Sequence, residues 1–426
     1  MNDKKDSGYL VPPMQAHMVL VLLFLLMAFD FIDRQVLAAV LPKIKEDWGI
    51  SDTQGGALVS VVNVAIALLA LPTAIVTDRW SRTKSIGIMA VVWSAATGLC
   101  ALAGNFWHML AARFMVGAGE AGYVSGGNAL LSTFYPKRLR ATVLGIFQSA
   151  SMLGSVVGFV VGGYIATHWG WRHAFGVVAV PGLILAVLVF FVRDYTTVRV
   201  TKRDEVSGAM REVGLKEMLL NIFRSPVLLL IFVGQAAQLL FVSSLGNWMP
   251  SFFNRVHGLD LQQAGLRSGL ILLISAAGVA TCGFIIDRLS RGQSHRRLVG
   301  AATLSLITSI LFITAFKTDN VALIFVGGFF MTSVLGPVMS AVVDFVHPGM
   351  RSSTSGAMIT ATNLLGMAIG PVASGALSDH FDLPTAMLVV SFSPLIAAVC
   401  YFAASRLYSS RAVKSEDEPE LSIQQP

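Results

Sequence analysis

Two carboxylates and a guanidinium interrupt an apolar run in the segment AFDFIDRQ, residues 28–35. A second apolar run, RFMVGAGEAGY over residues 113–123, carries another guanidinium and a third carboxylate. These five groups are Asp30, Asp33, Arg34, Arg113 and Glu120. Charges in an apolar helix are costly, so such groups face a cavity and pair with one another. Asp30 and Asp33 are three residues apart and share a helix face, and Arg34 stands one turn beyond Asp30 and can pair with it. Arg113 and Glu120, seven apart, also lie on nearly one face. Fully ionised, the set of three carboxylates and two guanidiniums carries a net charge of −1. Arginine keeps its proton, so the cheapest relief is a proton on one carboxylate, which burial favours. A carboxylate that is protonated in one state and ionised in another couples a proton to a conformational change. The alternative is a structural ion network that ties two helices together.

The elements that must position these groups are membrane helices. Only 13% of the 426 residues are charged, and the mean hydropathy is +0.69. Soluble domains carry about 25% charged residues, so a globular enzyme with a solvated surface is excluded. A span needs roughly 20 apolar residues. Apolar runs fall near 18–41, 56–76, 86–103, 108–133, 141–166, 173–192, 227–250, 265–286, 298–316, 321–345, 354–377 and 384–405. The expected fold is therefore an all-α polytopic membrane protein with twelve transmembrane helices. With both termini on the cytoplasmic side, 23 of the 31 Lys and Arg residues lie in cytoplasmic segments. That asymmetry is the bias that sets orientation. It also accounts for the net charge of +7 without a nucleic-acid partner. With the two helices antiparallel, Asp30 and Glu120 fall near mid-membrane, and Asp33, Arg34 and Arg113 toward the outer third.

The polar stretch between the sixth and seventh runs divides the chain. Expected segments are a cytoplasmic tail (1–17), a six-helix bundle (18–192), a cytoplasmic linker (193–225), a second six-helix bundle (226–405) and a cytoplasmic tail (406–426). Within the linker, LKEMLLNIF at 215–223 can form an amphipathic helix on the membrane surface. The halves repeat each other. AIVTDRWSR at 74–82 aligns with GFIIDRLSR at 283–291, and GSVVGFVVGG at 154–163 with GMAIGPVASG at 366–375. The entry to the latter span aligns too, and the offsets stay between 209 and 212 residues, as duplication of a six-helix unit requires.

TDRWSR at 77–82 resembles the loop signature of the major facilitator superfamily, G-x-x-x-D-R-x-G-R-[RK]. Ala74 and Ser81 replace the two glycines, while Asp78, Arg79 and Arg82 stand in place; the second copy keeps Gly283, Asp287, Arg288 and Arg291. FIDR in the first span and RFMVGAGEAGY in the fourth resemble the Spinster-like transporters, and the anion:cation symporters share a similar pattern. The resemblance implies two pseudo-symmetric six-helix bundles whose first and fourth spans line a central cavity. It implies a proton-coupled secondary transporter, working by alternating access, of a small organic or lysolipid-like amphipathic solute. An organic-anion/proton symporter and a passive facilitator of the same fold are the alternatives. Asp33, Arg34 and Glu120 match the family's positions, whereas many relatives have Asn where this chain has Asp30. A cytoplasmic gate is expected at Asp78, Arg79, Arg82, Asp287, Arg288 and Arg291.

Polar residues elsewhere in the spans are candidate substrate contacts: Asn63, Gln148, Gln235, Gln238, Asn247, Trp248 and Asn363. Helix–helix hydrogen bonding is the competing role for each. GAGEAG at 117–122 satisfies the dinucleotide-binding pattern but follows no strand, so close packing around Glu120 is the better reading. Cys100, Cys282 and Cys400 each sit in an apolar run with no zinc or redox spacing. No Walker sequence, HExxH or nucleophile elbow is present, which leaves ATP drive and hydrolysis without residues to carry them. The chain is thus expected to be a non-enzymatic monomer of the bacterial inner membrane. Beyond the proton, no cofactor or metal is expected.

Overall fold

Local capping chemistry marks several helix boundaries of the first half. The computed structural model describes residues 11–136, 138–192, 225–291, 293–345 and 351–417, and these contain helices and turns without strands. The expected surface helix at 215–223 and residues 1–10 lie outside the described residues. Helix α1 (Pro13–Trp48) begins with proline in its first turn, where the missing N–H costs nothing. It stops at Gly49, whose φ of 62° lets its N–H turn back to the Lys45 carbonyl. A reciprocal Ser51–Gln54 capping box starts α2 (Asp52–Arg79). Ser81 caps α3 (Arg82–Ala101), and Asn105 caps α4 (Phe106–Glu120).

Helix α5 (Tyr123–Phe134) follows α4 after a break at Ala121–Gly122. Helices α6 (Arg140–Trp169) and α7 (Trp171–Val189) complete the first half. The second half contains α8 (Pro226–Arg255), α9 (Leu261–Ser290), α10 (Ser294–Thr318), α11 (Val321–Met331) and α12 (Leu335–Phe345). After these come α13 (Arg351–Thr362), a π-helical turn (Asn363–Ala368), α14 (Ile369–His380), α15 (Leu383–Val390) and α16 (Ser393–Asp417).

Among the described residues, eleven segments are long and apolar enough to cross a membrane. Eleven of the twelve expected runs are represented there. The fourth, which α4 and α5 form with a break after Glu120, is missing because Arg113, Glu120 and its many small and polar residues lower its hydropathy. The α11–α12 break at Thr332–Val334 lies 212 residues beyond Glu120, inside the offset range of the sequence repeat. Duplication has therefore kept a mid-span break as well as its sequence landmarks.

The chain forms two compact units. One contains the first half to Asp204 together with Ser243–Leu273 and Met367–Met387. The other contains Glu205–Val242, Ile274–Gly366 and the chain from Leu388 onward. In the first unit, two apolar clusters meet along α1: one uses residues up to Ala28, the other begins at Ile32. The charged segment of α1 lies at that junction. In the second unit the core gathers Val227, Ile231, Leu298, Val338 and Tyr401.

Packing of α1 against α6 fixes which way the charges point. A methyl at Gly158 would come within 2.7 Å of the Ile32 carbonyl oxygen, and one at Gly162 within 3.1 Å of Val36 Cα. Gly154 meets the Ala28 carbonyl in the same manner. Residues 28, 32 and 36 of α1 are thus pressed onto a glycine ladder, and Asp30 and Arg34, about 200° around the helix, point away from it. Gly158→Val should disrupt this contact, an overpacking cost of about 1–3 kcal/mol or more. Gly145→Val, in the same helix with open space around it, should be nearly neutral. Thermal unfolding of the two variants in detergent checks the contrast.

Candidate functional site

All five ionisable groups of the apolar runs meet in the first unit. Arg34 donates through Nε to Asp30 Oδ1 at 3.0 Å and through Nη2 to Glu120 Oε2 at 2.6 Å. Arg113 donates from Nη1 to Asp33 Oδ2 at 2.7 Å. Asp30, Asp33, Arg113 and Glu120 are buried, while the Arg34 side chain keeps 21% of its surface exposed. Neighbouring residues Asp33 and Arg34 point about 100° apart on the helix, and so engage different partners on α4. The spacing that let Arg34 reach back one turn to Asp30 is the i, i+4 contact seen here.

Glu120 is carried to this point by glycines on both sides. Gly117 packs on α2 at Val62 and Gly119 on α3, where a methyl would lie 2.6 Å from the Trp93 nitrogen. Gly122, at the break, meets Met89 and Thr73. The GAGEAG segment therefore serves close helix approach, and Glu120 ends α4 where the helix is interrupted. Arg34 and Arg113 border a cavity of about 70 Å³, together with Gln35, Asn63 and Asn247. Phe31 lies beneath the Arg34 guanidinium at 5.1 Å. A small cavity with two guanidinium edges and three amides can take an anionic group.

The remaining candidates separate by position. Asn63 and Asn247 border the cavity, and Asn247 also donates to the Ser243 carbonyl at 2.8 Å. Trp248 is buried and donates to the Pro371 carbonyl at 3.0 Å. Gln148 is exposed on α6. In the second unit, Gln235 accepts from the Tyr401 hydroxyl. Gln238 donates to the Met331 carbonyl freed at the α11–α12 break and accepts from Ser305. Asn363 opens the π-helical turn.

Of the expected gate, the side chains of Asp78 and Arg79 lie outside the described residues. Arg82 is half-buried in the first turn of α3. Asp287 pairs with Arg297 at 3.3 Å, and Arg297 also holds Asp344 at 2.6 Å. Arg288 and Arg291 are exposed. The partner of Asp287 is thus on the following helix, in a position no motif marked.

A second polar cluster was not legible from the motifs. Asp52 accepts from Arg255 Nη1 through both oxygens at 2.9 Å, from Ser378 at 2.6 Å and from Lys45. Asp379 accepts from the Asp52 and Thr53 N–H groups at 2.7 and 2.8 Å and from the Thr53 hydroxyl at 2.6 Å. A carboxylate on α14 thereby sits on the positive N-terminus of α2. Gly375, one turn earlier on α14, packs directly on the Asp52 backbone. The available signal was indirect. Lys45 and Arg255 are among the few basic residues that run against the cytoplasmic charge bias.

With this geometry in hand, comparison with known proteins is decisive for the family. The Major Facilitator Superfamily model matches residues 23–365. The chain belongs to the Major Facilitator Superfamily. This is a family of transporters, not of enzymes, and its members are multi-pass membrane proteins. The chain is 25% identical to a hexuronate transporter of Bacillus subtilis, covering 85% of this chain and 88% of the relative. It is 22% identical to a probable sphingolipid transporter, a spinster homolog of Arabidopsis thaliana, over 88% of this chain and 83% of that one. Among solved structures it is similar to a bacterial homolog of the human lysosomal transporter Spinster in an inward-facing, unoccupied conformation. The TM-score there is 0.84 at 23% identity, covering 94% of this chain and 99% of the other.

Two measurements test the site's construction. Asp33→Asn leaves Arg113 buried without its counter-ion, a loss of about 3–5 kcal/mol, and should lower the unfolding midpoint in detergent markedly. Asp379→Ala removes the carboxylate from the α2 N-terminus, worth about 0.5–2 kcal/mol as a cap. Spin labels on the facing ends of α2 and α14 should then report a longer-distance population enriched about tenfold for ~1.4 kcal/mol. An unchanged distance distribution would show that the Asp379 contact does not hold these ends together.

Proposed function

We propose that this protein is a Spinster-like, proton-coupled secondary carrier of a solute with an anionic head group, a small organic acid or a lysolipid-like amphiphile. Its two six-helix halves, 18–192 and 226–405, alternate access to a central site, with both termini on the cytoplasmic side of a bacterial inner membrane. It works as a monomer with no cofactor besides the transported proton. The observation that carries the reading is Arg34, a partly exposed guanidinium bordering a cavity while it bridges two buried carboxylates. An anion that docks on Arg34 competes with Asp30 and Glu120 for that positive charge. Losing their counter-ion, those carboxylates favour protonation. Anion and proton therefore bind together, which is the thermodynamic requirement for symport. The hexuronate transporter and the sphingolipid transporter among the relatives move, by their names, an organic acid and an amphiphile. Both kinds of solute can present an anionic group to Arg34. A passive facilitator needs no such coupling.

Reconstitution into liposomes with an imposed pH gradient distinguishes the readings. Wild type should accumulate a hexuronate or a lysophospholipid on the alkaline side, and the two solutes tested separately decide between the substrate sources. Glu120→Gln should abolish accumulation, and Arg34→Gln should abolish both binding and transport. Equilibration without accumulation would establish a facilitator, and accumulation on the acidic side would establish exchange against protons.

A further inference from the structure

The negative charge of the cluster is not evenly spread. Asp33 and Arg113 form a pair that is neutral by itself, at 2.7 Å. The excess charge falls on the two carboxylates that share Arg34, at 3.0 and 2.6 Å. In that group, Asp30 Oδ2 and Glu120 Oε1 are buried and find no donor among the described residues. The two carboxyl groups are held side by side, because they bind Nε and Nη2 of one guanidinium. Asp33 Oδ1 and Arg113 Nε are also buried without a partner, but they belong to an ion pair whose charges already balance. From α1 and α4, Asp33 and Arg113 hold one another. From α5, the Tyr123 hydroxyl beside Asp30 donates to the Leu23 carbonyl at 2.7 Å. From α3, Cys100 stands against Arg113. A buried oxygen without a donor is expensive, and a proton supplies one donor to both.

We propose that Asp30 and Glu120 form a carboxyl–carboxylate dyad that holds one proton between Asp30 Oδ2 and Glu120 Oε1 in the substrate-free protein. One protonated oxygen donates to the other, and Arg34 neutralises the single remaining negative charge. Two carboxylates in one site titrate as a pair rather than individually. This deepens the proton-coupling reading of the same cluster, on which it rests for its role in transport. It places the resting proton on the dyad and not on Asp33, which Arg113 already balances. When an anion takes Arg34, the dyad becomes fully neutral by binding a second proton, so one proton enters with each negative charge. Asp30 thus acts as the residue that keeps Glu120 protonated before substrate arrives. In a chain with Asn at this position, Glu120 and Arg34 balance each other and no resting proton is held.

Infrared spectroscopy of the detergent-solubilised, substrate-free wild type tests the dyad directly. Near neutral pH a protonated-carboxyl band is expected, shifted in heavy water and lost on alkaline titration with release of about one proton per chain, as a pair sharing one proton requires. Asp30→Asn and Glu120→Gln should each lack that band and that release, because one carboxylate then faces one guanidinium. A wild type without the band overturns the proposal, as does a band unchanged in either variant. Should one variant fail to fold, the wild-type titration and the other variant still decide. The experiment uses no solute, so the dyad can fail while proton-driven transport succeeds, and the reverse.

Discussion

Charge that is buried in a membrane protein must be balanced locally, because little solvent is available to balance it. In a bilayer interior even one unpaired charge costs several kcal/mol, and breaking a buried pair costs about 3–5 kcal/mol. The geometry around Asp30, Asp33, Arg34, Arg113 and Glu120 follows from that constraint. Arg113 takes Asp33 and Arg34 takes both Asp30 and Glu120. Each guanidinium is used, and the residue of unbalanced charge is concentrated at one place. In the proposed carrier, that excess charge is what gives the cluster a role beyond joining two helices.

Much of the first unit serves to hold this arrangement. The α6 glycine ladder clamps one face of α1 and leaves the charged face directed elsewhere. The GAGEAG glycines bring α4 against α2 and α3, and α4 ends at Glu120. Mid-span breaks free backbone groups that must be satisfied inside protein. At the corresponding break of the second half, Gln238 meets one such carbonyl, that of Met331. The same architectural position thus carries a carboxylate in one half and neutral amide and hydroxyl chemistry in the other.

Away from the cluster, charges are managed by helix ends. Asp379 lies on the N-terminus of α2 and Asp52 binds Arg255 and Lys45, which makes the start of α2 a meeting point for α1, α8 and α14. Arg297 gathers Asp287 and Asp344 in the second unit. The first assembly joins chain segments that are more than 200 residues apart, whereas the second ties consecutive helices and Asp344.

Apolar run length, Lys and Arg bias and a repeat near 211 residues were sufficient to read a duplicated, all-helical membrane fold from the chain alone. They are sufficient because a bilayer imposes one length scale and one hydrogen-bonding solution on every span. The i, i+4 pairing of Asp30 with Arg34 was equally legible, since it depends on helix geometry and nothing else. The break at Glu120 was not, because its glycines read as packing residues and only neighbouring helices decide where a span is interrupted. Nor were the roles of Gln235 and Gln238, whose amides are taken by Tyr401, Met331 and Ser305 across helix contacts. The Asp52–Arg255 and Asp379–α2 contacts lay beyond sequence reading for the same reason. Periodicity fixes which residues share a face of one helix, but which face meets which neighbour is decided by the packing of all the helices together.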